Sequence, residues 1–190
     1  MLHQIRKAMK KEKYRETFEA IVEIDKTYIG GKPCKHNNHK DNKPKRGCNT
    51  FKTPVVSVKK RNIRKVHMVV ANYNDERKLL SGKQFFNVLK GGSKSDDVVM
   101  TDLFSSYNIL YGNECNFVRF QINHIVAFLF GIGIHANDIE CFWAVLKHGV
   151  YGAFHNVSVR HIQKYANEFC YRLNHKDNNE AFASLVKLSM

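Results

Sequence analysis

Apolar and polar positions alternate with a period of two from Phe18 to Asp25, with Ala20, Val22 and Ile24 set against Ile21, Glu23 and Asp25. This predicts a β-strand that ends at Asp25 and is closed off by Gly30 and Gly31. From Lys32 to Lys52 the pattern disappears into Lys, His, Asn, Asp and Gly, which describes a solvated loop. Two β-rich runs follow, Thr53 to Lys59 and Arg64 to Ala71, and the polar turn at Lys60 to Asn62 joins them as an antiparallel hairpin. Leu79, Leu80, Phe86 and Leu89 recur at helical spacing within Arg77 to Leu89, and Gly91 and Gly92 stop that helix. Asp97 to Asp102 is a short apolar run between acids, as expected of a strand buried on both faces. A short helix at Phe104 to Leu110 and a strand at Phe117 to Ile122 come next. In Asn137 to Val150, Ile139, Phe142, Trp143, Leu146 and Val150 share one helical face, with Glu140 and Lys147 opposite. The helix from Ser158 to Asn174 buries Ile162, Tyr165, Ala166, Phe169 and Leu173 by the same rule. Three antiparallel strands, a helix, further strands and closing helices make an α/β chain, a mixed sheet flanked by helices.

Composition narrows the partners. Lys and Arg total 31 against 17 Asp and Glu, a formal charge of +14, so a polyanion is the expected partner and nucleic acid the first candidate. A membrane is not expected: the longest apolar stretch, Ile125 to Ile134, contains glycines and is about half the ~20 residues that a span needs. The N-terminus has basic residues but no apolar segment or cleavage site behind them, which predicts a cytoplasmic chain. The cysteines at 34, 48, 115, 141 and 170 are scattered and odd in number, as reduced thiols would be.

Acids end the first and fourth strands, and Glu140 lies on a later helix. Asp25, Asp102 and Glu140 are thus candidates to converge at one end of the sheet. Three carboxylates of that kind suit phosphodiester chemistry, in which two divalent ions about 4 Å apart activate the attacking oxygen and stabilise the leaving one. Hard Mg²⁺ or Mn²⁺ selects carboxylate oxygen and water over thiolate. Lys147, two helical turns beyond Glu140, is placed to hold a phosphate beside such ions.

Specific blocks of sequence add to this reading. Val22-Glu-Ile-Asp25-Lys-Thr-Tyr-Ile-Gly-Gly-Lys32, then Thr101-Asp102 with Tyr107, then His135-Ala-Asn137-Asp-Ile-Glu140-Cys-Phe-Trp143-Ala-Val-Leu-Lys147-His-Gly149 resemble the signature blocks of the ISXO-type DDE insertion-sequence transposases. Gly152-Ala-Phe-His155-Asn-Val-Ser158, Glu168-Phe169, Arg172 and Asn174 continue the likeness, which runs from about Ile5 to Asn174. The resemblance implies an RNase H-like fold and an enzyme that cuts transposon ends and transfers them to target DNA with two Mg²⁺ or Mn²⁺ ions. It implies that Asp25, Asp102 and Glu140 hold the metals, with Asn137 as substitute or auxiliary third ligand and His124 and His135 near the site. Lys147, His148, Lys32, Lys52 and Arg160 are the candidate DNA contacts. It divides the chain into a remnant of a helix-turn-helix and linker (1–15), the catalytic domain (16–176) and a tail helix (177–190), and it implies assembly as a homo-oligomer on DNA.

Each candidate also has an ordinary structural role open to it. Asp25 could form a strand-end turn and Asp102 could cap the helix near Phe104. Asn137 and Glu140 have the spacing of a capping box, and Lys147 could be a solvated surface lysine. Trp143 and Phe142 are assigned to packing. Cys34, His36, His39 and Cys48 offer zinc-ligating types, but at no standard spacing, so a basic loop against phosphate is preferred. The rival to an enzyme is an inactive relic that binds DNA non-specifically through its basic surface.

Overall fold

A computed structural model describes residues 2–11, 21–30, 52–61, 65–71, 80–90, 97–111, 117–121, 137–155 and 157–189. Five strands form one sheet: β1 (Ile21–Ile29), β2 (Thr53–Lys60), β3 (Val66–Val70), β4 (Val98–Thr101) and β5 (Val118–Gln121). Their order is β3-β2-β1-β4-β5. β1, β2 and β3 pair antiparallel, whereas β4 pairs parallel with both β1 and β5. The mixed sheet is what the residue pattern predicts, and its strand order and directions are those of the RNase H-like fold that the resemblance implies.

One expectation needs correction. β1 does not end at Asp25 but continues to Ile29, which pairs with Thr53. Thr27 and Ile29 are buried and give the extra residues an inward face. Asp25 is therefore a mid-strand residue, opposite Ser57 of β2. The preceding Phe18 to Ala20 lie outside the described residues, as do the loop at 31–51 and the apolar stretch at 125–134.

Alternation along the strands builds two cores. Val22 and Ile24 of β1, Val56 and Val58 of β2 and Val99 of β4 face α2 (Gly82–Lys90), whose Phe85 and Leu89 pack on them with Leu80 and Tyr107. Tyr107 belongs to a 3₁₀ segment, Ser105–Tyr111. On the other face Ile29, Val55, Val66, Met68 and Met100 meet α3 (Asn137–His148) and α4 (Ile162–Asn174). Ile139, Phe142, Trp143 and Leu146 of α3 are all buried there, as their spacing predicts. At about 1.5–3 kcal/mol per fully buried large apolar side chain, these faces dominate the folding energy.

α3 stops earlier than its apolar stripe suggests. The α-helical hydrogen-bonding pattern gives way at Gly149–Ala153 to a π-helical turn. A side chain at Gly149 would collide with the ring of Phe169 on α4, so the close approach of the two helices requires glycine there. α4 likewise starts later than Ser158, behind a 3₁₀ turn at Val159–His161.

α4 is also buried on more than one side. Ile162, Ala166 and Cys170 face the sheet, while Tyr171 packs with Ala8 and Met9 of α1 (Leu2–Lys11) and Leu185 of α5 (Ala181–Ser189). Glu168 of α4 accepts a hydrogen bond from Arg6 Nε at 2.7 Å, with both side chains under 10% exposed. Arg6 also lies 3.9 Å over the Tyr165 ring. Tyr165, Phe169 and Leu173, expected in the core, are only partly buried against it, because the helix shares its inward surface between sheet and α1. Among the described residues no helix is long and apolar enough to cross a membrane.

Candidate active site

The centre of the sheet supplies the site. β1 and β4 pair in parallel as far as Glu23↔Met100, and β4 ends one residue later at Thr101. Two further steps along each chain bring Asp25 alongside Asp102. Because β4 has ended, no described strand pairs with that edge of β1 there, and side chains from both faces of β1 reach it.

Asp25 lies on the α3 face. Trp143 Nε1–H donates to its Oδ2 at 2.9 Å, so Trp143 is a core residue, as expected, that also orients a carboxylate. Burial pushes the Asp25 carboxyl above the ordinary aspartate range, against hydrogen bonds from the Lys26 backbone and from Trp143, and the negative charge of Asp102 pushes it further up. The two aspartates therefore feel one another electrostatically.

Both carboxylate oxygens of Asp102 are engaged. Oδ1 accepts the Phe104 N–H at 2.9 Å, so Asp102 does cap the turn that begins the 3₁₀ segment. Oδ2 accepts Lys26 Nζ, also at 2.9 Å. The Lys26 ammonium is 3.9 Å from the Phe104 ring centroid and 5.3 Å from that of Tyr107. Tyr107 is fully buried, and its hydroxyl has no hydrogen-bond partner among the described residues. Burial, then the charges of Asp25 and Asp102, raise its pKa well above the ordinary tyrosine value.

A polar cluster absent from the sequence reading seats α3 on the sheet. Glu23, fully buried, shares a strand face with Asp25, and its Oε2 accepts the Ile139 N–H in the first turn of α3 at 3.0 Å. Its Oε1 accepts Arg61 Nε at 3.1 Å. Beside it Lys59, which pairs with Glu23 across the strands, forms an ion pair with Asp138 at 2.9 Å. A strand carboxylate thus meets a helix N-terminal donor, a position where negative charge is favoured. The alternation signal that placed Asp25 and Glu23 on one strand face was visible in the sequence; the donor Glu23 would meet was not.

The remaining candidates divide by location. Glu140, Lys147 and His148 are exposed on α3, and His148 Nδ1 lies 3.0 Å from the Ala144 carbonyl. Asn137 begins that helix. Lys52 is half-buried, with Nζ 6.0 Å from the Tyr151 ring centroid, and Arg160 is exposed. Lys32, His124 and His135 lie outside the described residues, as do Cys34, His36, His39 and Cys48. Among the described residues no group of three His, Cys, Asp or Glu side chains is close enough to hold a metal ion. Asp25 and Asp102 are brought together, and Glu140 is not grouped with them.

Asp25 of β1 and Asp102, one residue past the end of β4, adjoin at the centre of this mixed sheet. The chain belongs to the ISXO2-like transposase domain family, whose model matches residues 18–174. It is also similar to a chain in the crystal structure of a pre-cleavage Mos1 transpososome, at 8% identity and a TM-score of 0.33. That likeness covers 100% of this chain and 63% of the other, so this chain spans less than two thirds of its length. No curated protein matches.

Proposed function

We propose that this domain cuts DNA at the ends of a mobile element and joins the freed ends to target DNA, using Mg²⁺ or Mn²⁺ held by Asp25 and Asp102. The observation that carries the reading is the meeting of these two aspartates beside the end of β4. Their oxygens are the donors that hard divalent cations select. The cation already drawn to the pair, the Lys26 ammonium, supports its affinity for positive charge, and the Tyr107 hydroxyl, without a hydrogen-bond partner among the described residues, adds a polar group beside it. Glu140 or Asn137, both on α3, is the third ligand in this reading. When bound, two such ions supply activation of the attacking oxygen and stabilisation of the leaving one.

The chain's own residues do the positioning. Trp143 holds the Asp25 carboxylate in one orientation, and the Phe104 N–H, donating to Asp102 Oδ1, fixes the other carboxylate. Lys147 and His148 at the end of α3, with Lys52, Lys32 and Arg160, bind backbone phosphates of transposon end and target, and His124 and His135 support the ligands. The domain works as a homo-oligomer assembled on DNA.

The test is a nicking assay on supercoiled plasmid and a strand-transfer assay with Mg²⁺ or Mn²⁺. Replacing Asp25 or Asp102 by Ala should abolish cleavage and leave DNA binding nearly intact; cleavage equal to the parent would remove the assignment. The second reading, a basic DNA-binding domain without catalysis, is favoured by the absence of a three-ligand group among the described residues and by the charge of +14. It expects salt-sensitive binding, whatever the DNA sequence, and no cleavage by the parent chain.

A further inference from the structure

Lys26 and Asp25 are neighbours on β1 and so emerge on opposite faces of the sheet. Asp25 turns to α3 and Trp143, and Lys26 to the 3₁₀ segment with Phe104 and Tyr107. Lys26 nevertheless reaches Asp102, because β4 has ended and nothing of the sheet stands between them. The Lys26 side chain is only 12% exposed, against 30% for Asp102, so the pair is sheltered more than a surface ion pair is. Two aromatic rings flank the ammonium, which is where a desolvated cation gains from ring electrons.

From this arrangement we infer that Lys26 is the resident counter-cation of the aspartate pair, occupying the place at Asp102 that a divalent ion has to take over. The inference rests on the metal-dependent reading above and deepens it. Lys26 neutralises like charges that would otherwise repel, which holds the pair together before metal arrives. Metal entry then requires the ammonium to leave Asp102 Oδ2 and the Phe104 ring. The cost of breaking that charge-assisted bond lowers metal affinity. Lys26 thereby acts as a positioning residue whose release accompanies loading of the site.

The experiment is calorimetric titration of Mn²⁺ into the full chain without DNA, for the parent, Lys26→Met and Asp102→Asn. Methionine keeps the unbranched stem against Phe104 and removes the charge. Lys26→Met should bind Mn²⁺ about tenfold more tightly, since loading no longer breaks a hydrogen bond between charged groups, and Asp102→Asn should bind it less tightly than the parent. Thermal melts without metal should show Lys26→Met less stable than the parent and rescued more by Mn²⁺. Equal or weaker Mn²⁺ binding by Lys26→Met, beside measurable binding by the parent, overturns the counter-cation role and leaves the metal reading standing. Failure of both to bind millimolar Mn²⁺ while folded overturns the metal reading itself, and the competition with it. Lys26→Gln, which retains a donor but no charge, serves if the methionine variant does not fold.

Discussion

Glu23 is where a single substitution should uncouple α3 from the sheet. Its fully buried carboxylate accepts one bond from the Ile139 N–H and one from Arg61, whose side chain is 9% exposed. Glu23→Ala removes both. A buried N–H without an acceptor costs about 1–3 kcal/mol, and a lost bond between charged groups about 1.5–3 kcal/mol, so the expected loss is about 2.5–6 kcal/mol. Glu23→Gln keeps one uncharged acceptor but sets its NH₂ against the other donor, so it should lose about 1–3 kcal/mol, the cost of one unmade buried bond. Both values are large against the ~5–15 kcal/mol that holds an ordinary domain folded. The assay is equilibrium urea unfolding followed by Trp emission and far-ultraviolet circular dichroism. The chain has a single Trp, Trp143, and it bonds to Asp25, so its emission reports the seat of α3 directly. The native emission of Glu23→Ala should shift to the red as that seat loosens. Stability of Glu23→Ala within about 0.5 kcal/mol of the parent, the range of an inert surface change, or a glutamine variant as damaged as the alanine one, would refute the reasoning.

Three other outcomes follow from the same structure. Asp25 has a folded pKa above its unfolded value, so its contribution to stability is complete below the ordinary aspartate value of 3.8 and is lost as pH rises through the raised folded pKa. Melting of the parent and Asp25→Asn between pH 3 and 7 should therefore show the asparagine variant gaining on the parent as pH rises; a constant difference would contradict the shift. Glu168→Ala should destabilise the chain more than Arg6→Ala, by about 3–5 kcal/mol for the former, because the alanine leaves Arg6 buried without its carboxylate, whereas Glu168 still has Arg172 at 2.6 Å when Arg6 is removed. Unfolding in urea ranks the two, and limited proteolysis should cut Glu168→Ala soonest near α1. Gly149→Ala drives a methyl group into the Phe169 ring and should cost about 1–3 kcal/mol of stability, measured as a lowered urea midpoint; an unchanged midpoint would mean α3 and α4 part without cost.

Local pattern carried much of this protein. The β-rich runs of β2 and β3, the continuous apolar run of β4, the apolar stripe of α3 and the acids within β1 and just after β4 depend only on which residues stand near each other along the chain, and all are legible there. So was the mixed sheet, since the run of strands, helix and strand leaves few other arrangements. Tertiary structure decided the partners. Glu23 meets Ile139 across 116 positions, Asp25 meets Trp143 across 118, Lys26 meets Asp102 across 76, and Arg6 meets Glu168 across 162. Periodicity states which face a residue occupies, and is silent on what comes to rest against that face. The extension of β1 past Asp25 belongs with these, because it is set by the β2 partner running down to Thr53 and not by any residue near Asp25. The amino-acid order by itself supplies the strands, the helices and the two aspartates; the end of β4 one residue before Asp102 is what lets a lysine on the far face of β1 reach it.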